Sequence, residues 1–385
     1  MARALRWRRA KTNSTPPSPK SLLFHDVKAS DDRARDGVAL TSLSMAVDVA
    51  LDIGTSHTRL ATQQRGVLFN EPTMVAIDTN SGDVVEVGVG ALEMVGRTPR
   101  HVVVFRPLAQ GATVDFDVTA RLISGLFERA GISKLSRARV VMSVPSLATS
   151  IERRALRQAA IQAGAREVSL IEAPIAGAIG LGLPVQDPVG SAVTVLGAGA
   201  SEVAVISLGG IVTGAFRRQG GNDLDVAIAT KLRSSLGVVV APTTVELLKI
   251  NLGSALARTR GSSEVVLART IDRGELVEVE VSAELVNNAG HDLVASTVRM
   301  IQDCLGRTPP DLSQDVSSRG LTLIGGHAVL SDFAELISTS TGVDVRVANE
   351  PDVVVIKGLQ YCLEEMSSLH ALFRDDGRYS GSRPS

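Results

Sequence analysis

An α/β protein built as two related domains around one cleft is the fold this sequence predicts, and three observations carry that expectation. From residue 46 onward, β-rich apolar runs alternate with segments of helical period. Two groups of short strands, at 49–78 and 191–221, each open with a glycine-containing loop, so the chain repeats its own pattern. The 385 residues are 44% hydrophobic and only 3% aromatic, which supplies a large aliphatic core. At ~150 residues per domain this length suits about two to three domains.

Residues 1–44 have no sustained apolar period and read as a disordered tail. Ala4, Leu5 and Trp7, set among its arginines, offer a small lipid contact. The ordered pattern begins just after Met45, which makes that residue an alternative start. VALDIG (49–54), TRLATQQ (58–64), GVLFNEP (66–72) and MVAID (74–78) follow, four short runs separated by turns that predict an antiparallel meander. RVVMSVPS (139–146) is a buried strand, ERRALRQAAIQAG (152–164) a helix ended by Gly164, and SLIEAP (169–174) opens another helix. In the second half, 191–221 reads as three strands with glycine turns and DLDVAIATKLRSSLG (223–237) as a helix.

Composition excludes several classes of function. Lys plus Arg total 40 against 41 Asp plus Glu, so no global basic field gathers nucleic acid, and none is expected as a partner. Cys304 and Cys362 stand apart, with no second cysteine at metal-ligand spacing, so neither a disulfide framework nor a zinc site is expected. No charge-free apolar run reaches the ~18 residues of a membrane span, and the basic start lacks the apolar stretch of a secretory signal. The expected place of action is a reducing cytoplasm.

Three loops carry candidate chemistry. In the first, Gly54 permits a tight turn, and Thr55, Ser56, His57 and Thr58 offer hydroxyls and N–H groups to phosphate oxygens. Asp52 beside it suits a hydrated magnesium ion. The second, Gly197-Ala198-Gly199-Ala200, is small enough for close approach to a phosphate. The third, Gly325-Gly326-His327-Ala328, follows an apolar strand and can lie against a flat base or ribose. Each is ordinary alone; three in this order are more specific.

The order DIGTSHT, VVMSVPS, IEAPIAGAIGLGLPV, VLGAGASEVAVISLGG and IGGHAVL resembles the actin-like ATPase superfamily, and within it the MreB-like bacterial cell-shape proteins, over about residues 46–366. GVLFNEPTMVAID, VPSLATSIERRALRQAAIQAGAREVSLIEAP, EVAVISLGGIV and LKINLGSA match that family nearly word for word. The resemblance implies an actin-like fold, two duplicated ribonuclease-H-like domains around a nucleotide cleft. Domain I would span 45–190, completed by about 351–368, domain II would span 191–350, and 369–385 would be a flexible C-terminus. It also implies ATP and magnesium as cofactors and filaments formed with itself or an active paralogue. The place would be the inner face of the cell membrane, with wall-synthesis proteins as partners.

Departures from the family bear on mechanism. The Asp that opens its second phosphate loop is Val195 here, and a Thr of that loop is Ala200. The second Glu of its Glu-Glu-Pro motif, which polarises the attacking water, is Ala173, which leaves Glu172 as the catalytic candidate. Loss of such a base costs about 10²–10⁴-fold in rate, so weakened ATP binding and impaired hydrolysis are expected, with a slow but active ATPase as the alternative. Near the adenosine, Glu246 and Lys249 survive, while His327 stands at a glycine position and His57 at an asparagine. The family's membrane-touching loop falls at 130–139, where Ile132 and Leu135 would dip into lipid.

Overall fold

The computed structural model describes residues 48–132, 138–258 and 261–365; the tail expected at 1–44 and the C-terminus at 369–385 lie outside them. The first half opens with β1 (Asp48–Ile53), β2 (His57–Thr62) and β3 (Gly66–Pro72), antiparallel neighbours in sequence. Side chains alternate across β1: Val49, Leu51 and Ile53 enter one apolar cluster and Ala50 another, so both faces of the strand are buried. β4 (Val75–Asp78), expected as the fourth strand of this meander, instead joins β5 (Val84–Val87) and β6 (Val102–Phe105) in a separate sheet. Pro72 has no N–H to extend the ladder. Thr73 then turns the chain back, its hydroxyl donating to the Gly54 carbonyl at 2.7 Å.

Beyond α1 (Val89–Glu93) and the short hairpin β7 (Leu108–Ala109) with β8 (Ala112–Thr113), Asp115 caps α2 (Phe116–Arg129) by accepting the Val118 N–H at 3.0 Å. β9 (Arg139–Val144) leads to α3 (Ser150–Gln162), which starts with a reciprocal cap between Thr149 and Glu152. Most of the SLIEAP segment is strand: β10 (Glu167–Glu172) precedes α4 (Ala173–Gly180), whose Pro174 sits in the first turn, where a missing N–H costs nothing. β9 lies parallel to β1 and to β10, giving the order β10-β9-β1-β2-β3.

The second half follows the same plan. β11 (Ser191–Leu196), β12 (Ser201–Ser207) and β13 (Gly210–Arg217) form an antiparallel meander followed by α5 (Gly221–Leu236). β14 (Val238–Val239), α6 (Pro242–Leu252), β15 (Ser263–Thr270) and β16 (Leu276–Ser282) build a small excursion whose strands form their own sheet. α7 (Ala283–Gly306) and α8 (Pro310–Arg319) return the chain to β17 (Leu321–Ile324), then a 3-10 turn (Gly326–Val329), α9 (Phe333–Thr341), β18 (Val345–Val347) and α10 (Val354–Glu364). The order β13-β12-β11-β17-β18 repeats that of the first sheet, strand direction included, so the expected duplication is present in the topology.

Between the two sheets lie α4 and α10. One buried cluster joins Ala50 and Val141 of the first sheet to Val193 and Ile324 of the second through Ile175 of α4 and Leu359 of α10. The helices touch backbone to backbone: a Cβ on Gly358 would stand 1.8 Å from the Ala176 carbonyl oxygen, so only glycine fits.

Candidate functional site

Both meanders make the same tight turn. Gly54 N–H donates to the His57 carbonyl at 2.9 Å, and Gly197 N–H donates to the Ala200 carbonyl at 2.9 Å. The turns meet across the cleft, for a Cβ on Gly199 would lie 2.4 Å from Thr55 Oγ1. Thr55 Oγ1 also accepts the Gly111 N–H at 3.0 Å, and the Ser56 carbonyl accepts the Thr73 N–H at 2.8 Å. Residues 54–57 and 197–200 are thus brought together as one pair of small, backbone-rich loops.

The acidic groups behind these turns are committed. Asp52 accepts from Ser143 Oγ at 2.5 Å on one oxygen and from Arg59 Nη1 at 3.3 Å on the other. Arg59 is its cross-strand partner in the β1–β2 ladder and also lies 3.6 Å from Asp352. Glu172 ends β10 with its side chain 4% exposed and accepts from Arg153 Nη2 at 3.0 Å. That oxygen is held in an ion pair, and Ala173 beside it carries no carboxylate. Glu202 of β12 is also buried and accepts from both the N–H and the hydroxyl of Ser146, at 2.9 and 2.7 Å. Burial pushes its pKa up to about 7, against those two hydrogen bonds.

The third group gathers around the start of α5. Gly221 N–H and Asn222 N–H donate to the carbonyls of Gly197 and Ala198, which ties this helix to the second turn. Lys249 of α6 pairs with Asp225 of α5 at 2.9 Å and approaches the Gly221 carbonyl at 3.5 Å. Burial raises the Asp225 pKa, with Lys249 opposing the rise. His327 lies beside Gly221, with its ring edge-on to Phe333 at 5.9 Å. Burial, with help from the Lys249 charge, holds His327 down to about pKa 4, so its imidazole is neutral at pH 7. Gly325 donates to the Pro351 carbonyl at 2.7 Å and accepts the Ala328 N–H, which holds the 325–328 turn against the strand end. Glu246 acts on both His57 and Asp225 through its charge. The His57 pKa is lowered, by burial first and then by Arg59.

The membrane expectation needs correction. Ile132 is 5% exposed and belongs to the core cluster with Leu126 and Phe127, so it cannot enter lipid without leaving that core. Leu135 lies outside the described residues. Among the described residues, no helix is long and apolar enough to cross a membrane.

The sequence reading missed Arg59, Ser143, Arg153 and Glu202 as parts of the site. Two of them carried a signal. Glu202 is the only charged residue between Ser191 and Phe216, and Arg59 interrupts the apolar TRLAT run immediately after the first loop. An isolated charge within a buried strand needs a partner or a function.

The residues do not fit a hydrated magnesium ion. Magnesium needs one or two carboxylates with room for water. Here the one candidate carboxylate, Asp52, is covered by Arg59 and Ser143, and Val195, where the resemblance implied a second carboxylate, packs on the apolar cluster around α4. Among the described residues no group of three or more His, Cys, Asp or Glu is placed to hold a metal ion.

The family model described as MreB/Mbl protein matches residues 46–371. The cell shape-determining protein MreB of Escherichia coli (strain K12) is 36% identical over 329 residues, covering 84% of this chain and 94% of that one. Mbl of Bacillus subtilis (strain 168) is 33% identical over 325 residues, covering 84% of this chain and 98% of that one. Among solved structures, MreB5 of Spiroplasma citri bound to ADP aligns with a TM-score of 0.78 and 26% identity, over 86% of this chain and 99% of that one. A MamK double helical filament aligns at TM-score 0.70 with 17% identity, a likeness of fold.

Proposed function

The chain belongs to the MreB/Mbl family and has its actin-like fold, and from that premise we propose that it is a cytoskeletal subunit of bacterial cell-shape or wall-synthesis organisation. It forms filaments or joins those of an active paralogue, and its adenine nucleotide serves as a structural ligand. The observation that supports this reading is a scaffold kept while its chemistry is removed. Both glycine turns close through the same 2.9 Å bond, yet Ala173, Val195 and Ala200 stand where the family resemblance implies catalytic and metal-holding side chains.

In this reading an adenine nucleotide lies between the two turns. The turns 54–57 and 197–200 would hold the phosphates, and the α5 start, Glu246, Lys249 and the 325–328 turn would hold the adenosine. MreB5 of Spiroplasma citri, with structures bound to ADP and to AMPPNP, supports an adenine nucleotide as the ligand. The slow-ATPase alternative would use Asp52 and Glu172, two carboxylates already held by Arg59 and Arg153. Contact with the inner face of the membrane and with wall-synthesis proteins rests on family resemblance, and the buried Ile132 shifts the burden of membrane contact to filament avidity.

Sedimentation of the full chain with ATP, alone and mixed with an active relative, alongside phosphate release, tests the reading. The expected result is pelleted polymer with phosphate release about 10²-fold or more below the active relative. A chain that stays monomeric in every mixture would overturn it, and release matching the relative would establish the ATPase instead.

A further inference from the structure

The disagreement between the cleft and a magnesium ion has a definite form: the position that would need a metal already has a cation of its own. Asp52 and Arg59 are register partners across β1 and β2, so the turn at Gly54 places their side chains on the same face. Arg59 Nη1 is 3.3 Å from Asp52 Oδ2, and Nη2 is 3.6 Å from Asp352 Oδ2, on the segment that precedes α10. Asp352 is fixed in turn by Asn70 Nδ2 at 3.2 Å, and Ser143 holds the other Asp52 oxygen. The guanidinium is largely buried, with its side chain 12% exposed, and its Nε makes no hydrogen bond. A delocalised, weakly hydrated cation tolerates such a site better than an ammonium does.

We propose that Arg59 is the resident cation of this cleft, and that a nucleoside di- or triphosphate binds here without a divalent metal. The inference rests on the nucleotide-binding part of the function proposed above. Four features lead to it. The carboxylate suited to a metal is neutralised by an arginine within the same hairpin. The partner position on the second sheet is the apolar Val195. The first turn ends two residues before Arg59 and meets the second at Gly199 and Thr55, and phosphate recognition by backbone N–H groups and an arginine needs no metal. His57, the only titratable side chain in those turns, is held toward its neutral form by burial and then by Arg59, with a smaller effect from Arg106, so the cation that acts most on the first turn is Arg59.

The test is calorimetric titration of the full chain with ADP, in magnesium and in EDTA, together with Mn²⁺ titration followed by electron paramagnetic resonance with ADP present. The wild-type affinity is expected to differ by less than about threefold between the two buffers, with no Mn²⁺ held at the cleft. Arg59→Leu should lose about tenfold or more in EDTA, regain part of it in magnesium, and hold Mn²⁺ on the freed Asp52. Arg59→Lys keeps the charge and should keep metal-free binding, which separates charge loss from misfolding if the leucine variant is unstable. Wild-type binding at least tenfold weaker in EDTA, or Mn²⁺ bound beside ADP, would overturn the proposal and leave the nucleotide-binding filament subunit intact. A chain that polymerises yet binds ADP in neither buffer would overturn it too, again without touching the filament reading.

Discussion

The β1–β2 hairpin and the β11–β12 hairpin are the same object with different chemistry. Each has a four-residue glycine turn closed by a 2.9 Å bond, and each places a cross-strand pair two steps behind that turn: Asp52 with Arg59 in the first, Val195 with Glu202 in the second. The strand parallel to each repeats the contrast, since β9 contributes Ser143 to the polar group while β17 contributes Ile324 to the apolar cluster. The backbone requirement of the turn is met in both halves, whereas the side chains diverge. Hairpin geometry depends on glycine placement and ladder register; chemistry depends on single side chains that the ladder does not constrain.

The halves also differ in how they treat buried charge. In the first, the buried Glu172 has Arg153 and Asp52 has Arg59; in the second, Asp225 has Lys249, but the fully buried Glu202 accepts only from the hydroxyl and N–H of Ser146. The largest effect should come from breaking a first-half pair. Arg153→Ala leaves Glu172 buried without its guanidinium and is expected to cost about 3–5 kcal/mol, read as a lowered melting temperature. A loss below about 1 kcal/mol would mean that the two halves handle buried charge alike.

Next comes the buried acid that forms no ion pair, Glu202. Below about its ordinary pKa of 4.5, Glu202 is protonated whether the chain is folded or not; between there and about 7 the folded form keeps the proton that the unfolded form loses. Stability therefore falls as pH rises through that window, by an amount on the order of 3 kcal/mol. Glu202→Gln should flatten this slope in melts taken from pH 5 to pH 8 and stabilise the protein at the upper end. An unchanged slope would assign the pH dependence to other groups.

A smaller effect tests how the hairpins meet. Gly199→Ala pushes a Cβ onto the Thr55 hydroxyl and should cost about 1–3 kcal/mol. Pairing it with Thr55→Gly should recover most of that loss, a coupling that independent loops would not show. The smallest expected change comes from giving the second hairpin a carboxylate of its own. Val195→Asp combined with Arg59→Leu should let magnesium raise the melting temperature, by about 1.4 kcal/mol of stabilisation at a tenfold excess over Kd, while the wild type shows no such response.

The duplication was legible because it rests on local signals. Glycines at 54, 197 and 199 and the apolar alternation around them mark two meanders before any tertiary contact is known. The fate of 74–78 was not legible, since period and propensity describe a strand without naming its neighbour. Pro72 and the Thr73 hydroxyl decided that it leaves the first sheet. Ile132 had the same difficulty: an aliphatic in a glycine-flanked loop looks available to lipid until α2 is seen to draw it into the core.

What the amino-acid sequence determined by itself is the fold, its repeat, and the presence of Ala173, Val195 and Ala200, small or apolar side chains, at three positions beside the candidate cleft. Identity at a position is a property of the chain, and missing atoms stay missing in any conformation. Only the tertiary structure decided what the surviving charges do. Arg153 lies 19 residues from Glu172, Ser146 lies 56 from Glu202, and Ser143 lies 91 from Asp52. A buried carboxylate acts through whichever donor or cation the fold brings within about 3 Å, because Coulomb and hydrogen-bond energies depend on distance in space and not along the chain.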